Sequence, residues 1–362
     1  MIRFWGILTA ASLLFTACES SSSNEISPSV ESVATLPQAV TNNAVAGAYL
    51  NDTLFLYTFG GIDSSLVYTG IHQKSYRYNT VTKEIDQIPD LPDTLGKVAA
   101  AATTIGDIIY IAGGYHVYED GHEKSSNKLH RFSVAQNRFL ADGAAIPIPI
   151  DDQVQVSYKD RYLYLITGWN DSTNVRTVQL YDTEDNTWKL ATPTPDEDIY
   201  KSFGASGVLT DHTIYYLGGA SSERQTKFGA QNSLRKGEIN PTNPTEITWS
   251  QTPIENTGLL DYEYAYRAAA VLVDEAPTWM GGSLITYNYD GIAYKDKEVV
   301  TPSGLIRTYN PDQGNFSVTS LSNKIPMDQR GLIQDRQRNI YFIGGIWDNQ
   351  EVSNQIVKIS FK

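Results

Sequence analysis

The stretch LYDTEDNTWKLATPTP, residues 180–195, decides the fold of this chain. It places an aromatic residue at Tyr181, then a polar run rich in turn-forming residues, then a second aromatic residue at Trp188. Asp and Asn favour tight turns, and large apolar residues on both sides of such a turn can share one face of a β-hairpin. The stretch therefore predicts a hairpin with one buried face.

The same spacing of seven positions between large apolar residues recurs along the chain. The further pairs are Tyr78 with Ile85, Phe132 with Phe139, and Tyr309 with Phe316. One more copy, Ile239 followed by Trp249, is three positions longer, which we interpret as an insertion in the turn. This recurrence indicates that the hairpin is part of a repeating unit.

Each unit also contains a short apolar strand that ends in glycine. The six copies end at Gly61, Gly114, Gly168, Gly219, Gly282 and Gly345, at intervals of roughly 50–63 residues, the size of one four-stranded sheet. A run of small or β-branched residues that ends in Asp precedes each copy, and these Asp residues are Asp52, Asp107, Asp160, Asp211, Asp274 and Asp335. Small side chains suit strands that converge on an axis, and glycine suits backbone angles that a Cβ resists.

The order of these three elements resembles the kelch repeat, whose family fold is a β-propeller. The resemblance covers residues 31–362 and implies an all-β, six-bladed kelch-type propeller. The sixth repeat lacks a fourth strand, whereas VATLPQ at residues 33–38 matches IDQIPD at residues 85–90. We therefore expect an N-terminal strand to complete the last blade and close the ring.

The N-terminus has the features of an export signal. A positive residue and an apolar stretch too short to span a bilayer precede LFTAC, residues 14–18. This segment resembles the lipobox of bacterial lipoproteins, which implies lipidation of Cys18; an ordinary secretory signal is the alternative. We expect a signal peptide over residues 1–17, a Ser-rich tether over 18–30, and anchoring in the cell envelope, with the residue after Cys18 favouring the outer membrane.

Composition excludes several kinds of function. Lys and Arg number 28 against 41 for Asp and Glu, giving a net charge of -13, which is unfavourable for binding nucleic acid. A single cysteine leaves no disulfide within the chain and no cysteine-based zinc site. The HVYEDGH segment, residues 116–122, could hold a metal, but a solvated loop explains it better. We predict no metal and no cofactor.

In a kelch propeller, the loops after the glycine strands and the loops that enter the inner strands meet at one face. The resemblance therefore directs attention to aromatic and cationic residues in these loops. The predicted ligand-binding residues are Tyr115, Trp169, Lys201, Tyr266, Arg267, Arg330 and Trp347. Cations beside aromatic rings suit a carboxylated sugar or an acidic peptide. The alternative is that Lys97, Lys201, Arg267 and Arg330 neutralise neighbouring Asp and Glu.

The leading interpretation is a lipid-anchored, non-catalytic recognition propeller for glycan or protein. We expect the double substitution Arg267→Ala and Arg330→Ala to abolish ligand capture with little change in melting temperature. A structural scaffold within an envelope assembly is one alternative to this interpretation.

An enzyme is the other alternative. Sialate mutarotases are exported six-bladed kelch proteins that use a Glu and an Arg six positions later; Glu223 and Arg235 are twelve apart here, and the Lys-Pro-Gly turn is missing. Copper oxidases similar to galactose oxidase need a tyrosine crosslinked to a cysteine. That activity is excluded because Cys18 in the signal segment is the only cysteine.

Overall fold

The repeats form six antiparallel sheets, or blades, which we number in chain order. The structure is a computed structural model that describes residues 28–222, 228–231, 233–259, 265–321 and 325–361. Regular structure in these residues is β-strand apart from four short 3-10 helices, Tyr68–Gly70, Asp198–Tyr200, Ile254–Asn256 and Asp348–Gln350. Within the described ranges, no helix has the length and apolar character needed to cross a bilayer.

Every blade has four main strands that run in order from the axis outward. The inner strands are Ala44–Leu50, Val98–Ile105, Val154–Tyr158, Phe203–Thr210, Ala269–Val273 and Ile333–Gln334. The second strands are Thr53–Phe59, Ile108–Val117, Tyr162–Ile166, Thr213–Ser221, Ala276–Met280 and Ile340–Ile343. The third strands are Ser75–Asn79, Leu129–Ser133, Val178–Asp182, Ser233–Asn240, Leu305–Asn310 and Gln355–Ser360.

The outer strands are Ile85–Ile88, Arg138–Phe139, Thr187–Ala191, Asn243–Pro253, Asn315–Ser320 and, in blade 6, Ser29–Thr35. Four further short strands lie in the loops after the second strands: Glu123–Ser125, Trp169–Asn170, Thr173–Asn174 and Gly229–Ala230. Because the strands alternate in direction, these long loops and the segments that enter the inner strands lie at one end of the propeller, which we call the loop face. Tight turns occupy the opposite end, the turn face.

The predicted hairpin pairs are direct neighbours across the third and outer strands. Tyr181 pairs with Trp188, and their ring centroids are 5.0 Å apart. The same register holds for the three other pairs, Tyr78 with Ile85, Phe132 with Phe139, and Tyr309 with Phe316. The seven-residue spacing therefore reports a real cross-strand contact.

In blade 4 the cross-strand partner of Ile239 lies closer in the sequence than the predicted Trp249. Ile239 pairs with Ile247, and Trp249 pairs with Gly237. The predicted match of Ile239 with Trp249 is therefore wrong. A register shift between Ile239 and Asn240 leaves residues 244–246 of the outer strand without a partner on the third strand, and Trp249 lies farther along the outer strand.

The ring closes as predicted. The inner strand of each blade contacts the inner strand of the next, including that of blade 6 with that of blade 1. The N-terminal strand pairs antiparallel with Gln355–Ser360, and Ser29 lies opposite Ser360. This strand begins at Ser29, so the folded part starts two residues before the predicted position 31.

The buried apolar side chains divide in the same way as the blades. Six clusters each fill the space between two neighbouring blades; Val156 and Tyr216, for example, belong to the cluster between blades 3 and 4. A seventh cluster forms a layer under the loop face and includes Tyr115, Phe203 and Ile346. Burial between blades holds the ring together, and the seventh layer supports the loops.

The glycine at the end of a second strand is required by close approach of the backbone. Gly218 has φ of +73°, and a Cβ there would lie 1.8 Å from the carbonyl oxygen of Ala265 in the next blade. Left-handed φ values disfavour residues that carry a Cβ. The repeated glycines therefore bring each blade into contact with the entry to the next one.

The inner strands surround a central channel with a volume of about 370 Å³. Its walls carry mostly small side chains, such as Ala46, Ala101 and Ala205. At the loop face, the channel wall includes Asp152 and Arg267. These two residues also belong to a second, smaller recess.

Candidate functional site

A recess at the loop face, which we call the aromatic pocket, has a volume of about 180 Å³. Its aromatic wall consists of Tyr115, Trp169, Phe203, Phe228 and Tyr294. Its polar wall consists of Glu123, Asp151, Asp152, Arg267 and Asn288. Loops and strand entries of blades 2 to 5 contribute to it, so the expected convergence of distant loops produces a defined cavity.

Main-chain pairing places the residues of the aromatic pocket. Trp169 begins a small hairpin after its glycine strand, and its N–H and carbonyl both bond to Asp151 at 2.9 Å. In blade 2, the second strand extends beyond its glycines, so that Tyr115 pairs with Ser125. Because hydrogen-bonded backbone carries these side chains, the pocket wall is preformed.

Side-chain contacts also tie the neighbouring loops to one another. Asp171 in blade 3 accepts a hydrogen bond from the backbone N–H of Ser125 in blade 2 at 2.7 Å and pairs with Lys124. The hydroxyl of Thr286 in blade 5 donates to the carbonyl of Phe228 in blade 4 at 2.8 Å. The backbone N–H of Ser222 in blade 4 donates to the side-chain oxygen of Asn174 in blade 3 at 3.0 Å, so contacts join all four blades in sequence.

The rings of the pocket meet edge to face. Trp169 lies 5.5 Å from Phe203 and 5.6 Å from Phe228, and the two phenylalanines are 5.5 Å apart. Their interplanar angles are 61°, 85° and 88°, the edge-to-face geometry that aromatic quadrupoles favour. Tyr294 lies 4.6 Å from Phe228. Trp169, Phe228 and Tyr294 are half-buried.

A buried ionic network lies between the aromatic pocket and the channel. The Nη2 atom of Arg267 donates to Asp152 at 2.9 Å, and Arg330 bonds both to Asp152 and, at 3.0 Å, to Asp328. Arg267 also lies 5.2 Å from the ring centre of Tyr266. The side chains of both arginines and both aspartates are at least 90% buried.

Two arginines and two aspartates balance in charge. Burial alone would raise the pKa of Asp152, but Arg267 and Arg330 together hold it below the usual value. Burial raises the pKa of Asp328 because its contacts with the arginines offset only part of the desolvation. The network is therefore compact, and it gives the aromatic pocket no excess positive charge.

Two further acidic groups, Asp151 and Glu123, belong to the described pocket wall, and burial raises the pKa of both. Asp151 is buried, and it accepts a hydrogen bond of 2.5 Å from the hydroxyl of Ser125. Burial raises the pKa of Asp151 well above its usual range, and the charge of Asp152 adds to this shift. Glu123 is exposed at the rim. Among the described residues, neither Asp151 nor Glu123 has an ion-pair partner.

The structure brings three of the seven predicted ligand-binding residues together. Tyr115, Trp169 and Arg267 all line the aromatic pocket. Tyr266 supports it from below; it is fully buried, its ring lies 6.1 Å from Phe203, and its hydroxyl donates to the carbonyl of Tyr287 at 3.0 Å. Arg330 takes part only through the ionic network.

The two other predicted ligand-binding residues lie elsewhere. Lys201 forms an ion pair of 3.3 Å with Asp196, and Trp347 is half-buried in the loop of blade 6. Lys97, which was expected near the channel, is buried and lies 2.7 Å from Asp93. For all four cations, the structure thus finds the carboxylate partners that the alternative interpretation required. A ligand-binding role for these residues stays a prediction.

Arg235, one of the two residues considered for a mutarotase, is not part of the aromatic pocket. Arg235 is fully buried, and its Nη1 and Nη2 atoms donate to the carbonyls of Ser233 at 2.6 Å and Gly218 at 2.7 Å. Arg307 occupies the matching place in blade 5, where it is also fully buried and donates to the carbonyl of Gly281 at 3.2 Å. Two blades therefore use this arginine to hold the glycine turn.

Four of the sequence-derived assignments concern residues wholly or largely outside the described ranges, and one of them is the Ser-rich tether, whose residues 18–27 fall there. Glu223, the second mutarotase candidate, and Cys18, the predicted lipidation site, both fall there. The signal peptide, residues 1–17, also falls there. These assignments stay predictions.

The segment HVYEDGH does not bring its two histidines together. The Nδ1 atom of His116 lies 2.8 Å from the carbonyl oxygen of Gly96, and the ring lies beneath the loop, whereas Tyr118 and His122 stack on each other in the exposed loop. Within the described part of the chain, no group of three or more His, Cys, Asp or Glu is arranged to hold a metal ion.

Sequence reasoning missed several residues of the pocket. Phe203, Phe228, Asn288 and Tyr294 were not identified, nor was Glu123. Phe203 lies directly before the small residues of an inner strand, the same location that drew attention to Arg267, so that rule could have found it. The others sit in long loops whose turns are not evident from composition.

Comparisons with known proteins agree with this architecture. The model of the Kelch motif matches residues 155–195. Kelch-like protein 15 of Mus musculus is 20% identical over 283 residues, which cover 75% of this chain and 41% of that protein. Kelch repeat and BTB domain-containing protein 2 of Cowpox virus (strain Brighton Red) is 30% identical over 175 residues, covering 48% of this chain and 29% of that protein.

A solved structure, that of YjhT, has the same fold. It superposes with a TM-score of 0.69 at 14% identity and covers 91% of this chain and 100% of its own. At this identity the likeness concerns the fold alone. The matches in sequence, the internal repeats and the ring of six blades all indicate the same architecture. The chain is a kelch-repeat six-bladed β-propeller. It spans less than half the length of the curated relatives named above.

Proposed function

We propose that this chain is a lipid-anchored, non-catalytic recognition propeller that binds a protein partner through its loop face. The aromatic pocket is the observation that supports this proposal. Its volume of about 180 Å³ is below the roughly 300–1,000 Å³ of typical small-molecule sites. A single projecting side chain of a larger partner suits this size, and the surrounding loops provide area for the rest of the contact.

The structure of the pocket wall favours binding over catalysis. Asp152 is held by two arginines, and Arg235, the mutarotase candidate among the described residues, holds backbone carbonyls. The enzyme alternative makes a different prediction, since a mutarotase would accelerate the interconversion of sialic acid anomers. Proton NMR of freshly dissolved sialic acid should show the same rate with and without the protein.

Anchoring is the part of the proposal that concerns Cys18. We expect the intact chain to sediment with membranes and to carry acyl groups on Cys18, which mass spectrometry of the N-terminal peptide can detect. Cys18→Ala should release the propeller into the soluble fraction. Membrane association that persists in this variant, with no acyl mass on the native chain, would reject the lipid anchor.

The proposed contact surface can be tested by site-specific photocrosslinking in the native cells. A photoreactive amino acid replaces Asn170 at the loop face in one variant and Val81 in a second. Val81 is 70% exposed and lies in a tight turn of the turn face, so it is a matched control. Discrete protein adducts from position 170 alone are expected. Adducts of equal yield from both positions, adducts that carry only glycan, or no adducts would contradict the proposal.

A further inference from the structure

The aromatic pocket combines two features that the proposed function alone does not explain. The half-buried aromatic residues Trp169, Phe228 and Tyr294 line one side. On the other side lie two acidic groups that form no ion pair among the described residues: Glu123, and Asp151, whose pKa is raised by burial. Together these features determine the charge of the group that fits the recess.

Aromatic rings attract cations through their quadrupoles. A cation within about 6 Å of a ring centre gains roughly 0.5–1 kcal/mol when exposed and about 2 kcal/mol when desolvated. The pocket presents three such half-buried rings, of which Trp169 gives the strongest interaction. The pocket wall already contains one example of this contact, because the guanidinium of Arg267 lies 5.2 Å from the ring centres of both Tyr266 and Tyr287.

The carboxylates favour the same kind of ligand. Arg267 and Arg330 are balanced by Asp152 and Asp328, so the described wall has no net positive charge for an anionic group, although the Nε and Nη1 atoms of Arg267 have no hydrogen-bond partner among the described residues. A carboxylated ligand, which the cations in the sequence indicated, would find no net positive charge in the described wall and would lie beside Glu123. A cationic ligand would find both ring surface and opposite charge.

We propose that the aromatic pocket binds the side-chain ammonium group of a lysine residue on the partner protein. This inference rests on the proposed function. A lysine stem is apolar and ends in a compact cation, so its methylenes can lie against Phe203 and Phe228 while the ammonium group lies near Trp169 and Glu123. Guanidinium is a planar, larger group, whereas the recess has a volume of only about 180 Å³.

Binding of the ammonium group should also be coupled to the release of a proton. Asp151 faces Asp152 on its own segment, Glu123 and the hydroxyl of Ser125 from blade 2, and Arg267 from blade 5. Burial and Asp152 raise the pKa of Asp151 in the empty pocket, and a bound cation would lower it again. Binding therefore releases a proton, and affinity should increase as the pH rises through the pKa of Asp151.

The test uses small probes with the purified full chain. Nα-acetyl-lysine N-methylamide is compared by calorimetry or NMR with the uncharged norleucine compound, which has the same backbone and an apolar stem. Choline serves as a free small-molecule cation. The lysine compound should bind and the norleucine compound should not. Equal binding of both, binding of neither, or choline affinity more than about tenfold above that of the lysine compound would overturn the inference.

Two substitutions connect the binding to the pocket. Glu123→Gln should lower the affinity for the lysine compound about two- to fivefold, as expected for one exposed charge contact. Trp169→Leu should weaken it about two- to thirtyfold. Glu119→Gln is the matched control, because Glu119 is exposed in the same loop but is not part of the described pocket wall. An unchanged affinity in Glu123→Gln and Trp169→Leu would contradict the assignment.

The pH dependence provides a separate readout. Affinity for the lysine compound should rise with pH above the usual titration range of an Asp carboxyl, and Asp151→Asn should flatten the profile. A profile that is equally steep in this variant would contradict the proton coupling. Protein adducts at position 170 without binding of the lysine compound would leave the recognition function intact and reject only the ligand assignment.

Discussion

Arg267 lies between two tyrosine rings and bonds to a carboxylate that is 115 positions away in the sequence. Arg330 reaches the same Asp152 across 178 positions. The sequence identified both arginines as residues near the channel, which they are. It could not identify their partners, because the pairing depends on how the ring brings blades 3, 5 and 6 together.

The buried network should contribute strongly to stability. Arg267→Ala leaves Asp152 and Asp328 buried with one cation fewer, so we expect a loss of about 3–5 kcal/mol in the free energy of unfolding, measured by chemical denaturation. This expectation replaces the earlier one that the double substitution with Arg330→Ala would leave the melting temperature nearly unchanged.

A matched control for this prediction is the exposed ion pair of Arg338 with Asp274, which is 2.7 Å long. Its side chains are 68% and 58% exposed, so Arg338→Ala should cost less than about 1 kcal/mol. Similar losses for Arg267→Ala and Arg338→Ala would show that the buried network is not a major source of stability.

Asp151 should make stability depend on pH. Its pKa is raised in the folded protein, so the folded state binds the proton more tightly than the unfolded chain, whose pKa is about 3.9. This contribution is complete below the unfolded pKa and is lost as the pH rises through the folded pKa.

Asp151→Asn should therefore melt at a similar temperature to the native protein at pH 4 and at a higher temperature at pH 8, by roughly 1–4 °C for an ordinary single-site effect. The amide oxygen can still accept the hydrogen bond of Ser125. Calorimetry at both pH values measures the difference, which should grow with pH. If the difference in melting temperature stays constant or shrinks as the pH rises, ionisation of Asp151 does not destabilise the folded protein.

At the scale of strands and turns, the sequence predicted most of the structure. The spacing from Tyr181 to Trp188 is a direct cross-strand pair, and the glycines mark close contacts between blades. These signals are local, because a hairpin or a left-handed φ constrains residues within a few positions. Blade 4 was misread for the same reason: the shift at Ile239 is a backbone irregularity that residue types alone do not locate.

The glycine contacts give a prediction at this scale. Gly218→Ala places a Cβ 1.8 Å from the carbonyl oxygen of Ala265, so the backbone must move. Left-handed φ adds its own cost, and together we expect a loss of more than about 2 kcal/mol.

Gly106→Ala is the control, because Gly106 also has a positive φ of +59° but no atom within 4 Å of the added Cβ. It should cost only the conformational part, about 1–2 kcal/mol. Denaturation curves of both variants separate contact from conformation. A smaller loss for Gly218→Ala than for Gly106→Ala would contradict the role of the close contact.

At the scale of the whole molecule, the ring depends on both ends of the chain. Ser29–Thr35 supplies the outer strand of blade 6 and pairs with the last strand. The convergence of loops at one face could be predicted from the repeat order. The pocket could not, since its rings come from four blades and from loop turns that composition does not reveal.

Removal of residues 1–35 should weaken the propeller much more than removal of residues 1–27. The longer truncation exposes the edge of Gln355–Ser360 and removes Val30, Val33 and Ala34 from the apolar contacts of blade 6. The shorter truncation leaves the strand complete. We expect a lower melting temperature and faster proteolysis for the longer truncation alone. Equal stability of the two products would mean that closure does not need this strand.

The direction of the closing strand has a consequence for how the molecule would be presented. Gln355 follows the long loop of blade 6, so it lies at the loop face, and Ser360 lies at the turn face together with its partner Ser29. The first residues that the structure describes therefore lie on the side away from the aromatic pocket. A lipid anchor at Cys18, as proposed, would then be joined to the propeller at the turn face. The aromatic pocket on the loop face would stay accessible to partners as large as other proteins.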